Sequence, residues 1–269
     1  MLWLTTHKEH PEKKPVKMNT MASILLDEST SEHEQIYIYE EDVINWEYSQ
    51  VDTILITILV PILLCLGVIN NSAFLFVIFR VPKMRSATNI CLAHLAVADL
   101  LYLSVTSLVF NILSYTASPS VAFIAIAKSD AACFIFELLK RMGYFVSIAL
   151  VTTVSLERYL AVCHPIQHLK VRGRRRTNTM VAICWVVGLM FACSTTLGIS
   201  AVNYKLFVQW PEGYQDYPRE VSGCQGLHSM IWRITLPLGV VPWFIAMFAN
   251  VFMYVKIIYA LNKRKSATL

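Results

Sequence analysis

The sequence predicts an all-α membrane protein, built as a bundle of five spanning helices. Three observations predict it. The chain of 269 residues is 56% hydrophobic and only 15% charged, with a mean hydropathy of +0.52. Its apolar residues fall into five long runs, each beyond the roughly 20 residues that cross a hydrocarbon core about 30 Å thick. Its basic residues collect in alternate gaps between those runs, the bias that orients helices across a membrane.

The elements follow in order. Residues 1–50 carry four lysines against ten acids, a net charge of −6. They are polar, acidic and without a sustained period, so a disordered extracellular tail is expected. Residues 1–6 are too short for the apolar core of a secretory signal, and residues 7–17 are polar; the first helix is therefore expected to carry the tail across the membrane. The tail holds no Asn-x-Ser/Thr sequon. Tyr37, Tyr39 and Tyr48 lie among acids; they read as a solvated tail, with sulfation or contact to a cationic ligand as the alternative.

The runs 54–79, 180–202 and 234–255 are free of charge, and the runs 90–113 and 131–156 hold a few ionisable residues. Helices are expected over about 53–80, 88–115, 130–163, 178–203 and 229–262, within a bundle of residues 51–262 and before a basic end at 263–269. Arg80, Lys83 and Arg85 follow the first run; Lys170, Arg172, Arg174, Arg175 and Arg176 follow the third; Lys263, Arg264 and Lys265 follow the fifth. All three segments fall on the cytoplasmic side if the amino terminus is outside and the carboxy terminus inside.

A helix rises about 1.5 Å per residue, so sequence offsets become depths. Cys133 lies 25 positions before Arg158, about 38 Å along a helix. With Arg158 at the inner edge, Cys133 reaches the outer one, where Cys224 also lies. Two cysteines on an oxidising face can pair, and a Cys133–Cys224 disulfide is expected. Cys65, Cys91, Cys163, Cys184 and Cys193 read as apolar filler.

Asp99 lies 11 positions beyond Thr88, Asn71 nine before Arg80, Ser147 11 before Arg158, and Trp185 nine after Arg176. These offsets, of about 13–16 Å, bring all four to one layer near mid-membrane. The layer reads two ways: a packing network, or a hydrated cation site of the sodium type on Asp99 and Ser147 with Asn71 in support. Above it on the third helix, Glu137 and Arg141 are spaced to pair. Lys140 is then left over, on a stripe with Tyr144 and Ser147. The stripe reads as the lining of a cationic cavity open to the outside, against the alternative that Lys140 snorkels to headgroups.

These motifs together resemble the rhodopsin-like family of G-protein-coupled receptors. "GVINNSAFLFVIF" carries Asn71, "LAHLAVADLL" carries Asp99, "SLERYLAVCHPI" carries Glu157, Arg158 and Tyr159, and Trp185 sits in the fourth helix. Cys133 stands at the family's interval from Glu157–Arg158–Tyr159. The resemblance implies the rhodopsin-like bundle and a switch in which Glu157 neutralises Arg158 until Arg158 is released to a heterotrimeric G protein. It makes Trp185 a bundle-packing residue, and Glu137, Lys140, Arg141 and Tyr144 a ligand pocket. The segment 170–176 would border the same docking surface and attract anionic lipid. The sequence departs from the family at Asn70, where a glycine is usual, and at Thr195 and Thr196, near a usual proline. Tyr254 also lies farther beyond Pro242 than the family's interval. The motifs of the family's sixth and seventh helices are not present, so five of seven helices are expected, in a fragment or a shortened isoform.

Lys140 stands where amine receptors of the family carry an aspartate, which argues against an amine. "NYKLFVQW" is β-prone and "PEGYQDYP" turn-rich, which predicts a hairpin lid, and "KMRSATNI" resembles an inner loop of neuropeptide receptors. A peptide with an acidic group is the expected ligand, and an anionic lipid or nucleotide the runner-up. A multi-pass receptor of the plasma membrane is expected, with lipid as its solvent, a second receptor copy as a further candidate partner, and no nucleic acid. Three rival readings stand beside it. One is a non-signalling isoform that pairs with a complete receptor. Another is a transporter or channel using Asp99, Glu137, Lys140 and His94 as a relay, although transporter-type repeats are not seen. The third, an intramembrane enzyme, lacks paired aspartates, a His-Glu-x-x-His site and a Gly-x-Ser-x-Gly nucleophile. No metal site or enzymatic cofactor is expected.

Overall fold

The computed structural model describes residues 35–122, 128–171, 173–199, 202–225 and 229–267. Five of its helices are long and apolar enough to span a membrane. We label them α1 (Gln50–Arg80), α2 (Ala87–Ala117), α3 (Asp130–Cys163), α4 (Arg174–Ile199) and α5 (Ser229–Ala267).

Local chemistry sets several of their ends. Ser49 and Asp52 form a reciprocal capping box at the start of α1: the Asp52 amide donates to Ser49 Oγ at 3.1 Å, and the Ser49 amide donates to Asp52 Oδ2 at 3.3 Å. Ser86 and Ser129 cap α2 and α3 in the same sense, accepting from the amides of Asn89 and Ala132. Arg85 folds back on the exit of α1 and donates to the carbonyls of Ile78 and Phe79 at 3.2 and 2.8 Å, groups the helix itself leaves unpaired. Pro165 opens a short loop helix, Pro165–Val171, directly after α3. Pro237 and Pro242 sit inside α5 without ending it.

The helices pack around α3, which touches α2, α4 and α5, while α1 leans on α2. Cys91, Ala98, Val146, Leu150, Val181 and Cys184 form the shared core of α2, α3 and α4. Small residues permit the close approach. A Cβ at Gly143 would stand 2.9 Å from the Tyr102 amide nitrogen, and one at Gly188 would stand 2.5 Å from Val146 Cγ2. By contrast α1 and α5 expose broad apolar faces, including Ile69, Phe76, Phe248 and Val255. In a bilayer such a surface meets lipid.

At one end of the bundle sits a three-stranded sheet, in the order β1-β2-β3. β2 (Val202–Gln209) and β3 (Glu220–Gln225) form an antiparallel hairpin with Val202 opposite Gln225 and Phe207 opposite Glu220. Its connection contains Gly213 at φ 100°, a region that suits glycine. β1 (Gln35–Tyr37) pairs in parallel with Phe207–Gln209.

This corrects the expectation of disorder across residues 1–50, because the last part of that segment is folded. After β1 the chain makes a short helix at Glu40–Asn45 and then bridges Glu47 to Val121. Ile36, Ile38, Val43 and Trp46 bury themselves against Val121, Leu206, Val208 and Val221. The apolar residues of an acidic segment thus find a core only when the hairpin and the α2–α3 connection come together. The remainder of the expected tail, and the Asn-x-Ser/Thr reading made on it, lie outside the described residues. Of the three tyrosines read as solvated, Tyr48 packs edge-on against Tyr115 at 5.1 Å, while Tyr39 is exposed.

Candidate functional site

The hairpin is tied to the bundle at two adjacent points. Cys133 in the first turn of α3 is bonded to Cys224 in β3, with Cα atoms 5.7 Å apart. One turn earlier, Asp130 Oδ1 accepts from the Asn203 amide at 2.7 Å. The top of α3 and the hairpin therefore move as one piece.

Directly below, on the next turns of α3, lies a charged cluster. Glu137 is buried and is shared by two cations. Lys140 Nζ forms an ion pair with Oε1, and Arg141 Nη2 stands 3.3 Å from Oε2. Lys140 is therefore not left over as the i,i+4 spacing implied, because the i,i+3 position also reaches Glu137. Its ammonium group lies 4.1 Å over the ring centroid of Phe110, a favourable cation–π position. Phe110 reaches it from the part of α2, Ser104–Leu113, that is wound as a π-helix; the wider winding alters which residues face α3. Tyr144 continues the stripe one turn on, 6.3 Å ring to ring from Tyr102. Among the described residues, the printed ion pairs of this cluster join one carboxylate to two cations.

In the middle of the bundle Ser147 Oγ donates to Asp99 Oδ1 at 2.7 Å, joining α3 to α2. The carboxylate and hydroxyl are hard oxygen donors suited to a small cation. Asn71 is not part of this contact: its amide nitrogen donates to the Gly67 carbonyl of its own helix at 2.8 Å. Trp185 of α4 crosses to α2, where its indole N–H donates to His94 Nδ1 at 3.3 Å. Sequence reasoning had placed His94 only in a relay; the structure gives it to Trp185. It also missed Asn250, whose amide links α5 to Thr152 of α3 at 3.1 Å. An asparagine within an apolar run was the available signal.

At the far end of α3 the expected pair is corrected. Glu157 does not pair with its neighbour Arg158. Its Oε1 lies 3.2 Å from Arg176 Nη1 of α4, and its Oε2 lies 3.7 Å from His168 Nδ1 of the loop helix. Consecutive helical residues point about 100° apart, so a neighbour in sequence is a poor partner on a helix surface. Arg158 is exposed and makes no ion pair among the described residues. Tyr159 Oη lies 3.3 Å from His164 Nε2.

Residues 70–268 match the family model described as the 7 transmembrane receptor of the rhodopsin family. A somatostatin-like receptor of Takifugu rubripes is 34% identical over 128 residues, which is 46% of this chain and 40% of the relative. Somatostatin receptor type 2 of Mus musculus is 31% identical over 143 residues, 53% of this chain and 37% of the relative. The alignments thus span about two fifths of the curated relatives' length. With a family match over most of the chain, an order of motifs that the fold draws around a single central helix, and five apolar spans, the conclusion is that this multi-pass membrane protein belongs to the rhodopsin family of seven-transmembrane receptors.

Proposed function

We propose that this chain forms part of a plasma-membrane receptor for a peptide with an acidic group and that it passes the signal to a heterotrimeric G protein. In this reading the hairpin end faces outside and the Glu157 end faces the cytoplasm, in line with the basic residues 80–85, 170–176 and 263–265. The relatives are named for somatostatin, a peptide, which supports a peptide as ligand class. The carrying observation is the cluster beneath the tethered hairpin, where Glu137 is held between Lys140 and Arg141. A ligand carboxylate can compete with Glu137 for these two cations beneath the tethered hairpin.

The other end supplies the response. Glu157 is held by Arg176 and His168, so Arg158 is free to meet an anionic or carbonyl-rich partner. A ligand that favours one arrangement of α3 against its neighbours then shifts the population that presents Arg158. Asp99 and Ser147 stand between the two ends as a polar link between α2 and α3, and as the place for a sodium-type ion. The reading assigns no catalytic role to any residue.

The test uses a receptor that carries these residues, expressed in cells. Peptide pools matched in all but their acidic groups are offered to it. Acidic peptides are expected to bind preferentially, and Lys140→Ala to weaken them roughly tenfold. Equal binding of both pools would remove the proposed pocket chemistry. Arg158→Ala is expected to abolish nucleotide exchange on the G protein; undiminished exchange would remove the proposed role of Arg158.

A further inference from the structure

The hairpin carries a cavity of its own, of about 470 Å³. It is lined by residues 207–210 at the end of β2 and by Tyr214, Gln215 and Arg219 of the connection to β3. None of these residues belongs to a helix of the bundle, so the cavity is separate from the Lys140 cluster. Its size lies within the roughly 300–1,000 Å³ of small-molecule sites. Two tight turns curl the connection: the Tyr214 amide donates to the Pro211 carbonyl at 3.3 Å, and the Tyr217 amide to the Tyr214 carbonyl at 3.2 Å.

Its aromatic walls are fixed in place. The Trp210 indole N–H donates to the Pro218 carbonyl at 2.8 Å. The ring stands edge-on to Trp46 at 5.9 Å and to Tyr217 at 5.2 Å. Tyr214 stands edge-on to Tyr217 at 5.3 Å, and Tyr217 is tied to Glu47. The segment before α1 thus braces the rings of the connection, and Trp210 and Tyr214 lose little freedom when a ligand arrives. The polar groups of the lining are the reverse. Among the described residues, the side chains of Gln209, Gln215 and Arg219 have neither a hydrogen bond nor an ion pair. Glu220, beside Arg219, is taken by Lys205 at 3.2 Å. Glu212 and Asp216 belong to the same connection but do not line the cavity. Among the described residues, Arg219 is the one charged group of the lining.

Fixed aromatic rings, free amides and one guanidinium define the ligand. An aromatic face is electron-rich and attracts C–H groups of partial positive charge, which the apolar face of a pyranose ring presents. The amides of Gln209 and Gln215 offer both donors and acceptors to ring hydroxyls. Arg219 offers its fork to a carboxylate. An extended peptide finds less here. Where β2 lines the cavity it is paired with β1 on one side, and with Glu220 and the Arg219 carbonyl on the other, so no strand edge is left for it. We propose that this cavity binds an acidic sugar, a pyranose bearing a carboxylate, with its apolar face against Trp210 and Tyr214 and its carboxylate on Arg219. The site goes beyond the peptide reading, and it rests on the proposed orientation only in naming glycans outside the cell as the source.

The experiment takes the full chain in phosphatidylcholine nanodiscs, which expose both faces, and reads sugar binding by saturation-transfer NMR against empty discs. Sialic acid and glucuronic acid are offered free and joined to lactose. Lactose alone is the neutral counterpart, and a glutamate-rich peptide the acidic compound that is not a sugar. An acidic sugar is expected to bind roughly tenfold more tightly than lactose, with transfer strongest at its ring C–H protons. Arg219→Gln should remove that preference and leave lactose unchanged. Phe207→Ala should weaken acidic and neutral sugars alike. Lys205→Gln, a cation of the same hairpin outside the cavity, should change binding less than about twofold. Equal binding of lactose and both acids, or an effect of Lys205→Gln as large as that of Arg219→Gln, overturns the proposal. So does a peptide that binds through Arg219 when no sugar does, which would hand the cavity to peptides. If Arg219→Gln does not reconstitute, Phe207→Ala decides alone: undiminished sugar binding overturns it. Tighter binding of the joined sugars supports a glycan as the source, and equal binding of the free acids supports a free sugar. Chain orientation and peptide binding at Lys140 are read in separate assays, so their failure and the failure of this site are distinguishable.

Discussion

The sheet at the hairpin end and the helical bundle beneath it are held together by different forces. The sheet is a small water-facing core. Ile36, Ile38, Val43, Val121 and Val221 are each no more than 2% exposed, although the surrounding segment is acidic and polar. The bundle is the reverse: it is far more apolar, yet α1 and α5 leave most of their large side chains on the outside. Water drives the first by expelling apolar surface. Lipid offers no such drive between helices, so the second depends on close approach at Gly143 and Gly188 and on hydrogen bonds such as Ser147 to Asp99. Apolar content thus says little about where a membrane protein keeps its buried core.

The sharpest way to break this comparison is at the joint between the two regions. Cys133→Ser removes a crosslink across 91 positions, which should cost the sheet about 4 kcal/mol. Hydrogen exchange should rise across residues 202–225 and 35–48 and stay unchanged through α2, α3 and α4. If exchange rises equally in the helices, sheet and bundle are one cooperative unit.

Gly143→Val tests the bundle from its own side. The new side chain would meet the backbone of α2 at Tyr102 and Ala98, at a cost of about 1–3 kcal/mol. Thermal unfolding in nanodiscs should fall while the hairpin's exchange protection persists. A neutral outcome would mean that α2 and α3 separate easily, and that close contact is not what holds them.

Ser147→Ala should have a smaller effect. It deletes the donor that reaches Asp99, and intramembrane hydrogen bonds are worth about 0.6–1.7 kcal/mol. A modest loss of thermal stability is expected, together with weaker stabilisation by added sodium. Sodium stabilisation undiminished in the variant would detach Ser147 from any ion site.

The smallest effect is confined to the sheet. The Tyr217 hydroxyl donates to Glu47 Oε1, linking the hairpin connection to the chain after β1. The carboxylate acceptor holds the phenol's proton, pushing its pKa up to about 12 from the ordinary 10.0. Between those values the folded sheet retains a proton that the unfolded chain has lost, so this contribution is complete below pH 10 and disappears as pH rises towards 12. A spectrophotometric phenolate titration should show a late-titrating tyrosine that Tyr217→Phe removes. An unchanged titration in the variant would show that the hydrogen bond contributes nothing.

Much of the site was legible before any tertiary contact was known, for reasons specific to each residue. Asp99 and Ser147 could be placed together because helix rise converts sequence offset into depth, and both lay 11 positions from an inner marker. Cys133 followed from the same arithmetic, and Cys224 from its place in the loop before the fifth helix. The partner of Glu157 did not, because depth fixes height and leaves rotation open. Arg158 shares the height of Glu157 yet points elsewhere, while Arg176 reaches it from another helix. Asn71 is similar: an offset in sequence says nothing of where its amide turns, which is to the Gly67 carbonyl of its own helix.

What the sequence determined by itself was the number of apolar spans, their order and the level of each polar group, because a bilayer of fixed thickness imposes those on any chain that crosses it. Only the tertiary structure decided which groups meet. The pairing of residues 35–37 with 207–209 and the capture of Glu157 by Arg176 and His168 join groups that belong to separate elements of the chain. Such contacts carry no local period, since their energy comes from packing that exists only once the whole assembly is formed.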